Sequence, residues 1–289
     1  MDRVGDKRER SPEALDEHSK RLRSAAAATE ELMKFIEYPR GQVFSAEYIM
    51  ELIEGRGANP DIQVPVEGTT LLMVLSILGR NNIDGPLHAG VKKVFGFLVD
   101  GGRANINLVE YNRTALIHHV VCMRDPWFLR KLLSRGESRQ QVNLFDPYGC
   151  CPLYIACNSP RVPIESIRLL LNNLAIPNLQ HRDNSSVPLH CALSDCIALG
   201  NLERLTSILD AFFGAGVRVG NEQDRDGDTV MHVAARDLYD AVLCAKVLNN
   251  GGSQSLYVQN HRRFTPLQQA MRFGNADMER VIRVFMAGG

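Results

Sequence analysis

The sequence predicts an all-α protein built from about six to seven tandem helix-turn-helix units. Two observations lead to this prediction. A short motif recurs along the chain at steps of about 36 to 44 residues, and each copy is followed by two helix-compatible segments. In the second segment of each pair, apolar residues recur three and four positions apart, the spacing of one buried helical face. Self-similarity of this period is typical of solenoids, in which each unit packs against its neighbours.

The recurring motif is clearest as DGDTVMHVA at residues 226–234, and an earlier, poorer copy is expected to end in a second helix within 46–61. Related stretches lie at 67–75, 111–119, 148–156, 184–192 and 262–270. Aligning the copies on the threonine superposes Thr70, Thr114, Cys151, Val187, Thr229 and Thr265. The second helices are expected at 91–102, 127–136, 164–173, 202–216, 240–252 and 277–289. Most of these segments end in Gly or Asn, the residues that most readily adopt the left-handed backbone conformation that often ends an α-helix.

The motif resembles the ankyrin repeat, whose signature D-x-x-G-x-T-P-L-H-x-A opens a two-helix unit of about 33 residues with a β-turn finger. The matching residues in the clearest copy are Asp224, Gly227, Thr229, His232 and Ala234. Three other copies keep Asp146, Gly149, Pro152, Leu153 and Ala156; Pro188, Leu189, His190 and Ala192; and Thr265, Pro266, Leu267 and Ala270. The resemblance covers residues 29–289 and implies an ankyrin-repeat solenoid with β-turn fingers. Steps longer than the family's repeat indicate irregular insertions, placed at 79–90, 193–202 and 214–223.

The stretch DRDGDTVMHVAAR at 224–236 also suggests a calcium loop or a catalytic His–Asp pair. With Gly227 at position six of an EF-hand loop, position twelve is Val233, where a bidentate glutamate is required. No Ser or Cys nucleophile recurs beside His232, and a His–Asp pair alone does not define a reaction. We therefore predict that Thr229 caps the first helix and that His232 bonds back to Thr229 and to a neighbouring turn. In the same alignment the histidine position holds Met73, Ile117, Tyr154, His190 and Gln268.

A second candidate metal site groups histidines and cysteines of neighbouring repeats. Its members are His118, His119, Cys122, Cys150 and Cys151. Their spacing is not that of a known zinc module, and adjacent ligands point to different sides of a helix. Buried thiols in a reducing compartment account better for the seven cysteines of the chain. Nucleotide-binding and metalloprotease motifs are missing from the sequence as well. We expect no metal, no cofactor, no catalytic residues and no enzymatic activity.

The N-terminal 28 residues are expected to form a charged, disordered tail ahead of a repeat domain at 29–289, with a helix at 24–38. Two basic clusters in the tail comprise Lys7, Arg8 and Arg10, and then Lys20, Arg21 and Arg23. Clusters so spaced resemble a bipartite nuclear localisation signal, and a simple solvated tail is the alternative. The prediction is a nuclear or cytoplasmic protein. Overall charge is balanced, 33 basic against 33 acidic residues, and no apolar run reaches the length of a membrane helix.

Exposed side chains are expected at the fingertips. Tyr111 and Tyr148 occupy equivalent positions in the alignment, and basic residues lie at or near later tips. We predict that the partner-binding residues are Tyr111, Tyr148, Arg182, Arg225, Arg262 and Arg263. Tyrosine beside arginine is typical of interface hot spots, and ordinary solvated turns are the alternative.

The resemblance to ankyrin proteins implies that the fingers and first helices form a concave face that binds another protein. The chain also resembles the nuclear inhibitor-of-kappaB-like proteins and the ankyrin region of fungal cell-cycle transcription factors. The predicted function is therefore a non-enzymatic scaffold for a protein partner, with a nuclear transcription regulator as one form of it. We expect a monomer without direct contact to nucleic acid or membrane. The alternative is the substrate-recruiting ankyrin region of a larger enzyme or of a ubiquitin-ligase adaptor.

Overall fold

The computed structural model describes residues 12–39, 44–80 and 84–288. Within these residues the chain forms fourteen α-helices, α1 to α14, and no β-strand. The helices are α1 Pro12–Glu37, α2 Ala46–Glu54, α3 Leu71–Arg80, α4 Pro86–Asp100, α5 Leu116–Val121, α6 Pro126–Leu133, α7 Pro152–Asn158, α8 Ile164–Asn172, α9 Pro188–Ala198, α10 Leu202–Gly214, α11 Val230–Asp237, α12 Ala241–Asn249, α13 Pro266–Phe273 and α14 Ala276–Gly288. Short 3₁₀ turns follow α6 and α12, at Gly136–Gln140 and Gly252–Ser255. Within the described ranges, no helix combines the length and apolarity needed to cross a bilayer.

The chain divides into two compact units, Met1–Leu108 and Val109–Gly289. In the N-terminal unit, α1 packs on α2 and α3, and α4 packs on both α2 and α3. Fully buried side chains such as Leu32, Leu71 and Phe95 form its core. Each such side chain contributes about 1.5–3 kcal/mol when it leaves water. This unit holds two helix pairs, α1–α2 and α3–α4.

The C-terminal unit contains five helix pairs, from α5–α6 to α13–α14. Its first helices α5, α7, α9, α11 and α13 pack one on the next, and α6, α8 and α10 pack beside them as a second row. Phe128 and Phe212 of that second row are fully buried. Asp125, Asn201 and Asp240 cap α6, α10 and α12 by accepting first-turn N–H groups, which would otherwise lack partners.

All six aligned copies lead into the first helix of a pair, and the expected second helices coincide with α4, α6, α8, α10, α12 and α14. The divergent first copy holds α2, which begins at the expected residue 46. The predicted all-α repeat class is thus confirmed, with seven pairs in the part of the chain that is described. The insertion expected at 193–202 is partly absorbed by α9, which runs to Ala198.

Two sequence-based expectations differ from the structure. The helix expected at 24–38 begins earlier, at Pro12, so the part of the expected tail from residue 12 onward is helical. A run of alanines, lysines, arginines and glutamates favours helix, and pairs such as Lys20–Asp16 and Arg21–Glu17 bridge successive turns at 2.6 and 2.7 Å. Residues 1–11 lie outside the described residues.

The second difference is one of register in a single repeat. The residue before α5 is Ala115 rather than Thr114, because the polypeptide closes its turn with an antiparallel bridge between Val109 and Ala115. His118, rather than Ile117, therefore takes the histidine position, and Tyr111 corresponds to Pro147 rather than to Tyr148. The sequence alignment was wrong by one residue in this repeat, because Thr114 was matched to the motif threonine although Ala115 occupies that position.

Candidate protein-binding surface

Five β-turn fingers, I to V, each precede the first helix of a pair in the C-terminal unit, at 110–114, 146–150, 181–186, 224–228 and 260–264. Each is closed by a backbone hydrogen bond, for example from Asp224 N–H to the Asp228 carbonyl at 2.9 Å. In finger IV, the Asp224 carboxylate accepts the N–H groups of Asp226 and Asp228, both at 2.9 Å. The motif aspartate thus holds the turn together. A short polar side chain that satisfies its own backbone is the usual basis of such turns.

One position near each fingertip requires a left-handed backbone. Gly149 and Gly227 occupy it in fingers II and IV, with φ of 79° and 77°. Arg113 and Arg263 occupy it in fingers I and V, with φ of 77° and 64°. A residue with a Cβ atom loses about 1–2 kcal/mol in this conformation, so the two arginines are held there under strain.

Consecutive fingertips are joined by backbone hydrogen bonds from finger II to finger V. In fingers III, IV and V, the second residue donates its N–H to a carbonyl of the preceding finger. The bonds are Arg182 N–H to Gly149 at 3.2 Å, Arg225 N–H to Asn184 at 2.8 Å and His261 N–H to Asp226 at 3.1 Å. Fingers II to V therefore form a continuous ladder that fixes their spacing.

Buried histidines tie the bases of the fingers to the helices. Nδ1 of His190 accepts the N–H of Val187 at 3.1 Å, and Nε2 lies 3.0 Å from the Asp228 carbonyl. A backbone N–H can only donate and a carbonyl can only accept, so the ring is neutral with its proton on Nε2. His232 repeats the arrangement with Thr229 and the Phe264 carbonyl, at 3.1 and 2.8 Å. The predicted link from His232 to Thr229 and to a neighbouring turn is confirmed.

Burial shifts these histidines toward the neutral form. Desolvation lowers the pKa of His190 to about 4, and it lowers the pKa of His118 and His232 as well. The carbonyl that each ring faces opposes the shift without overcoming it. Each imidazole is thus a neutral bridge in the fold.

The junction between fingers I and II is built differently. The second residue of finger II is Pro147, which has no N–H and cannot donate to finger I. His118 accepts the Ala115 N–H at 3.0 Å, but its Nε2 bonds the Leu144 carbonyl at 3.1 Å, ahead of finger II rather than at its end. A cleft of about 500 Å³ opens here, lined by Val109, Asn112, Arg113, Asn143, Leu144, Phe145, Asp146, Pro147 and Arg182.

The six predicted partner-binding residues all lie on the fingers, and each is exposed. Tyr111 is 62% exposed and Tyr148 is 76% exposed. The guanidinium of Arg182 lies 4.4 Å from the centre of the Phe145 ring. The other three are Arg225 on finger IV and Arg262 and Arg263 on finger V. Within the described residues, none of the four arginines pairs with a carboxylate.

The sequence-based selection left out the residues that distinguish the first junction. Arg113 was hidden by the register error in its repeat. Pro147 was visible beside Tyr148 in the motif, and its missing N–H was the signal that could have marked the junction. Leu144 and Phe145 precede the motif, and only the folded chain brings them to the cleft.

Several side chains of the candidate metal sites have protein partners or are held in the protonated form by burial. The Asp228 carboxylate accepts the Asn260 amide at 2.7 Å and faces Arg236 at 3.2 Å. Desolvation raises the pKa of the Cys150 thiol to about 12 and also raises that of Cys151. Among the described residues, no group of three potential ligands converges.

The predicted localisation signal falls partly on described residues. Lys20, Arg21 and Arg23 lie exposed on α1, where Lys20 and Arg21 pair with acids one turn away. The other cluster, Lys7, Arg8 and Arg10, lies outside the described residues.

Comparison with known proteins extends these observations. No family model matches the chain. A stretch of 118 residues, 41% of this chain, is 33% identical to the tyrosine-protein kinase Shark of Drosophila melanogaster and spans 12% of that protein's length. The solved structure of the ankyrin repeat domain of Bcl-3, described as a unique member of the IkappaB protein family, superposes with a TM-score of 0.62. That match covers 86% of this chain and 97% of the Bcl-3 chain at 20% identity, and it confirms the ankyrin-repeat fold.

Proposed function

We propose that this protein is a non-enzymatic scaffold that binds a protein partner through the fingers and first helices of its C-terminal unit. The observation that carries the proposal is the row of exposed tyrosines and of arginines without a carboxylate partner among the described residues, on fingers of which II to V are linked by backbone hydrogen bonds. Tyr111, Tyr148, Arg182, Arg225, Arg262 and Arg263 are its members. A rigid support lowers the entropy lost when such side chains are ordered against a partner.

The chemistry of these residues suits an interface. Tyrosine and arginine are enriched among the residues that dominate binding energy, because they combine apolar area with hydrogen bonding. Within the described residues these arginines pair with no carboxylate, so a partner's carboxylate would displace no existing ion pair. The repeat architecture also supports the proposal, since stacked units present an extended surface.

We further propose a role in the nucleus as a regulator of transcription. The likeness of fold to an IkappaB family member supports this, as does the resemblance of the sequence to nuclear inhibitor-of-kappaB-like proteins. The basic clusters around Arg8 and Arg21 would direct import. A fluorescent fusion with Lys20, Arg21 and Arg23 changed to alanine should shift from nucleus to cytoplasm; an unchanged distribution contradicts the import signal.

The binding surface is tested by combining Arg225→Glu, Arg262→Glu and Tyr148→Ala. The triple variant should lose the partners that affinity purification recovers with the unchanged chain, while its thermal unfolding stays within a few degrees. A matched control carries Arg168→Glu on α8, an exposed arginine away from the fingers. Equal recovery of the same partners by the triple variant and the control refutes the proposed surface.

A second candidate function is the substrate-recruiting region of a larger enzyme. The stretch similar to the kinase Shark favours it, because that stretch is a small part of a protein named for its kinase activity. The full open reading frame distinguishes the two. A catalytic domain in the same frame supports recruitment, and its absence supports an independent scaffold.

A further inference from the structure

The cleft between fingers I and II differs from every other finger junction of the C-terminal unit. Fingers II to V are joined tip to tip, and Pro147 cannot make the corresponding bond. His118 also contacts a different part of the next finger. It bonds the Leu144 carbonyl, which precedes finger II, whereas His190 bonds the carbonyl of Asp228, the last residue of finger IV. This junction thus lacks the tip bond and has a different histidine contact, and a cleft of about 500 Å³ lies here.

The walls of the cleft combine apolar and cationic groups. Val109 and Leu144 line it and are 38% and 40% exposed, so their apolar side chains are accessible to a ligand. Phe145 lines it as well, with the Arg182 guanidinium over its ring. An apolar lining with a few oriented polar groups is the common composition of a recognition pocket.

Two arginines lie on the cleft, and neither has a carboxylate partner among the described residues. They are Arg113 of finger I and Arg182 of finger III. The carboxylate in the lining, that of Asp146, directs Oδ1 to the N–H groups of Tyr148 and Cys150 at 2.9 and 2.8 Å. Two guanidinium groups against one carboxylate leave the lining of the cleft with net positive charge beside apolar surface.

Arg113 is retained where glycine would be unstrained. The equivalent positions of fingers II and IV hold Gly149 and Gly227, with nearly the same φ. Arg263 carries the same strain on finger V, so it is the position of Arg113 in the cleft lining that assigns its side chain to this site.

We propose that this cleft anchors an acidic segment of a partner protein: one large apolar side chain enters between fingers I and II, and carboxylates on either side pair with Arg113 and Arg182. The inference rests on the proposed function, because it identifies one subsite and one partner chemistry for the finger surface. A protein segment fits better than a nucleic acid, since Asp183 and Asp226 interrupt the arginines along the fingers and would repel a continuous phosphate backbone.

The test uses the full chain and fluorescein-labelled peptides in which a central Leu or Phe is flanked by aspartates. Fluorescence anisotropy should show saturable binding, and it should be lost when asparagines replace the aspartates or when serine replaces the central residue. A labelled single-stranded oligonucleotide of similar length is the comparison probe. No peptide binding up to about 1 mM, or tighter binding of the oligonucleotide, overturns the proposal.

Variants locate the subsite. Arg113→Gly and Arg182→Gln should each weaken peptide binding about tenfold, because each removes a charge-assisted hydrogen bond. Arg168→Gln on α8 is the control, because it removes an exposed arginine that lies away from the fingers. Arg113→Gly relieves strain, so its melting temperature should not fall, and weaker binding cannot then be ascribed to unfolding.

Pro147→Ala addresses the origin of the cleft. It supplies the missing N–H, which lets finger II bond finger I and narrow the opening, so peptide binding should fall. If Arg113→Gly, Arg182→Gln and Pro147→Ala all bind the peptide as tightly as the unchanged chain, the cleft is not the site. The proposed function survives that result if the variant of Arg225, Arg262 and Tyr148 still loses its partner, so the two failures are distinguishable.

Discussion

The junction between fingers I and II and the junction between fingers IV and V use the same parts with different results. Between IV and V, the His261 N–H reaches Asp226, His232 reaches Phe264, and Asn260 donates to Asp228 at 2.7 Å. Between I and II, His118 makes the equivalent kind of link, but to the Leu144 carbonyl. A single proline at the second finger position accounts for the missing tip bond.

The comparison of the two junctions shows that the histidine bridge and the tip bond have different structural roles within one repeat. The histidine bridge holds the base of a finger to its helix, and it is present at both junctions. The tip bond sets the distance between fingers, and it is present only where the second residue has an N–H. A repeat can therefore open at its tip to form a cleft without losing the packing of its first helices.

The largest expected effect comes from removing a histidine bridge. His190→Ala leaves the Val187 N–H buried without its partner, removes one of the two hydrogen bonds to the Asp228 carbonyl and creates a cavity. We expect a loss of about 4 kcal/mol in the free energy of unfolding, measured by urea denaturation. Tyr154, which stands at the corresponding position of α7 and bonds Asn184 only at 3.5 Å, provides the control. Tyr154→Phe should lower the free energy of unfolding by less than about 1 kcal/mol. Equal losses in the two variants would show that the histidine bridge adds no stability of its own.

Acid should weaken the junctions that depend on histidine. Because the folded-state pKa values are lowered, the stabilisation is complete above the unfolded-state pKa near 6.5. It is lost as the pH falls through the interval toward the folded-state pKa, about 4 for His190. From His190 the loss is on the order of 3 kcal/mol, and His118 and His232 add to it in the same direction.

A non-titrating control for this pH dependence exists within the chain. In α13 the same position holds Gln268, whose Oε1 accepts the Thr265 N–H at 2.9 Å. His190→Gln should therefore keep the helix-start bond and make the fall of the urea midpoint between pH 6.5 and 4 shallower, leaving the part that His118 and His232 contribute. A midpoint that falls as steeply in this variant would assign the acid sensitivity to other groups.

Gly227→Ala should convert the closed junction into one resembling the open junction. At φ of 77° a new Cβ would lie 2.6 Å from the backbone nitrogen of His261, so the tip bond must lengthen or break. Backbone strain and the lost hydrogen bond together should cost about 2–3 kcal/mol. Hydrogen exchange at the His261 amide should accelerate. Unchanged protection of that amide would mean that the tip bond tolerates the methyl group.

Pro147→Ala is the reverse change, with the smallest expected effect on stability. The new hydrogen bond gains about 0.5–1.5 kcal/mol, and the lost rigidity of proline costs about 0.4–1 kcal/mol, so the net change should stay near zero. The informative measurement is exchange of the new amide at residue 147. Slow exchange shows that the fingers close once an N–H is present; fast exchange means that something other than the proline holds them apart.

The sequence alone determined the repeat class, the number of helix pairs and the positions of the second helices. Those features depend on apolar spacing and on turn residues such as Gly227, which act within one repeat and are legible in one segment. It also placed Tyr148, Arg182 and Arg225 on exposed turns, because the motif defines where each finger lies.

Only the tertiary structure decided which fingers are joined and where a cleft opens. The one-residue shift at Ala115 depended on a turn closing onto Val109, and the partner of His118 depended on how the next repeat docks. Hydrogen bonds between repeats join residues about 26 to 44 positions apart, such as His118 with Leu144 and Asn178 with Glu222. Local sequence patterns do not predict such hydrogen bonds, because the packing of whole helices determines which residues of neighbouring repeats meet.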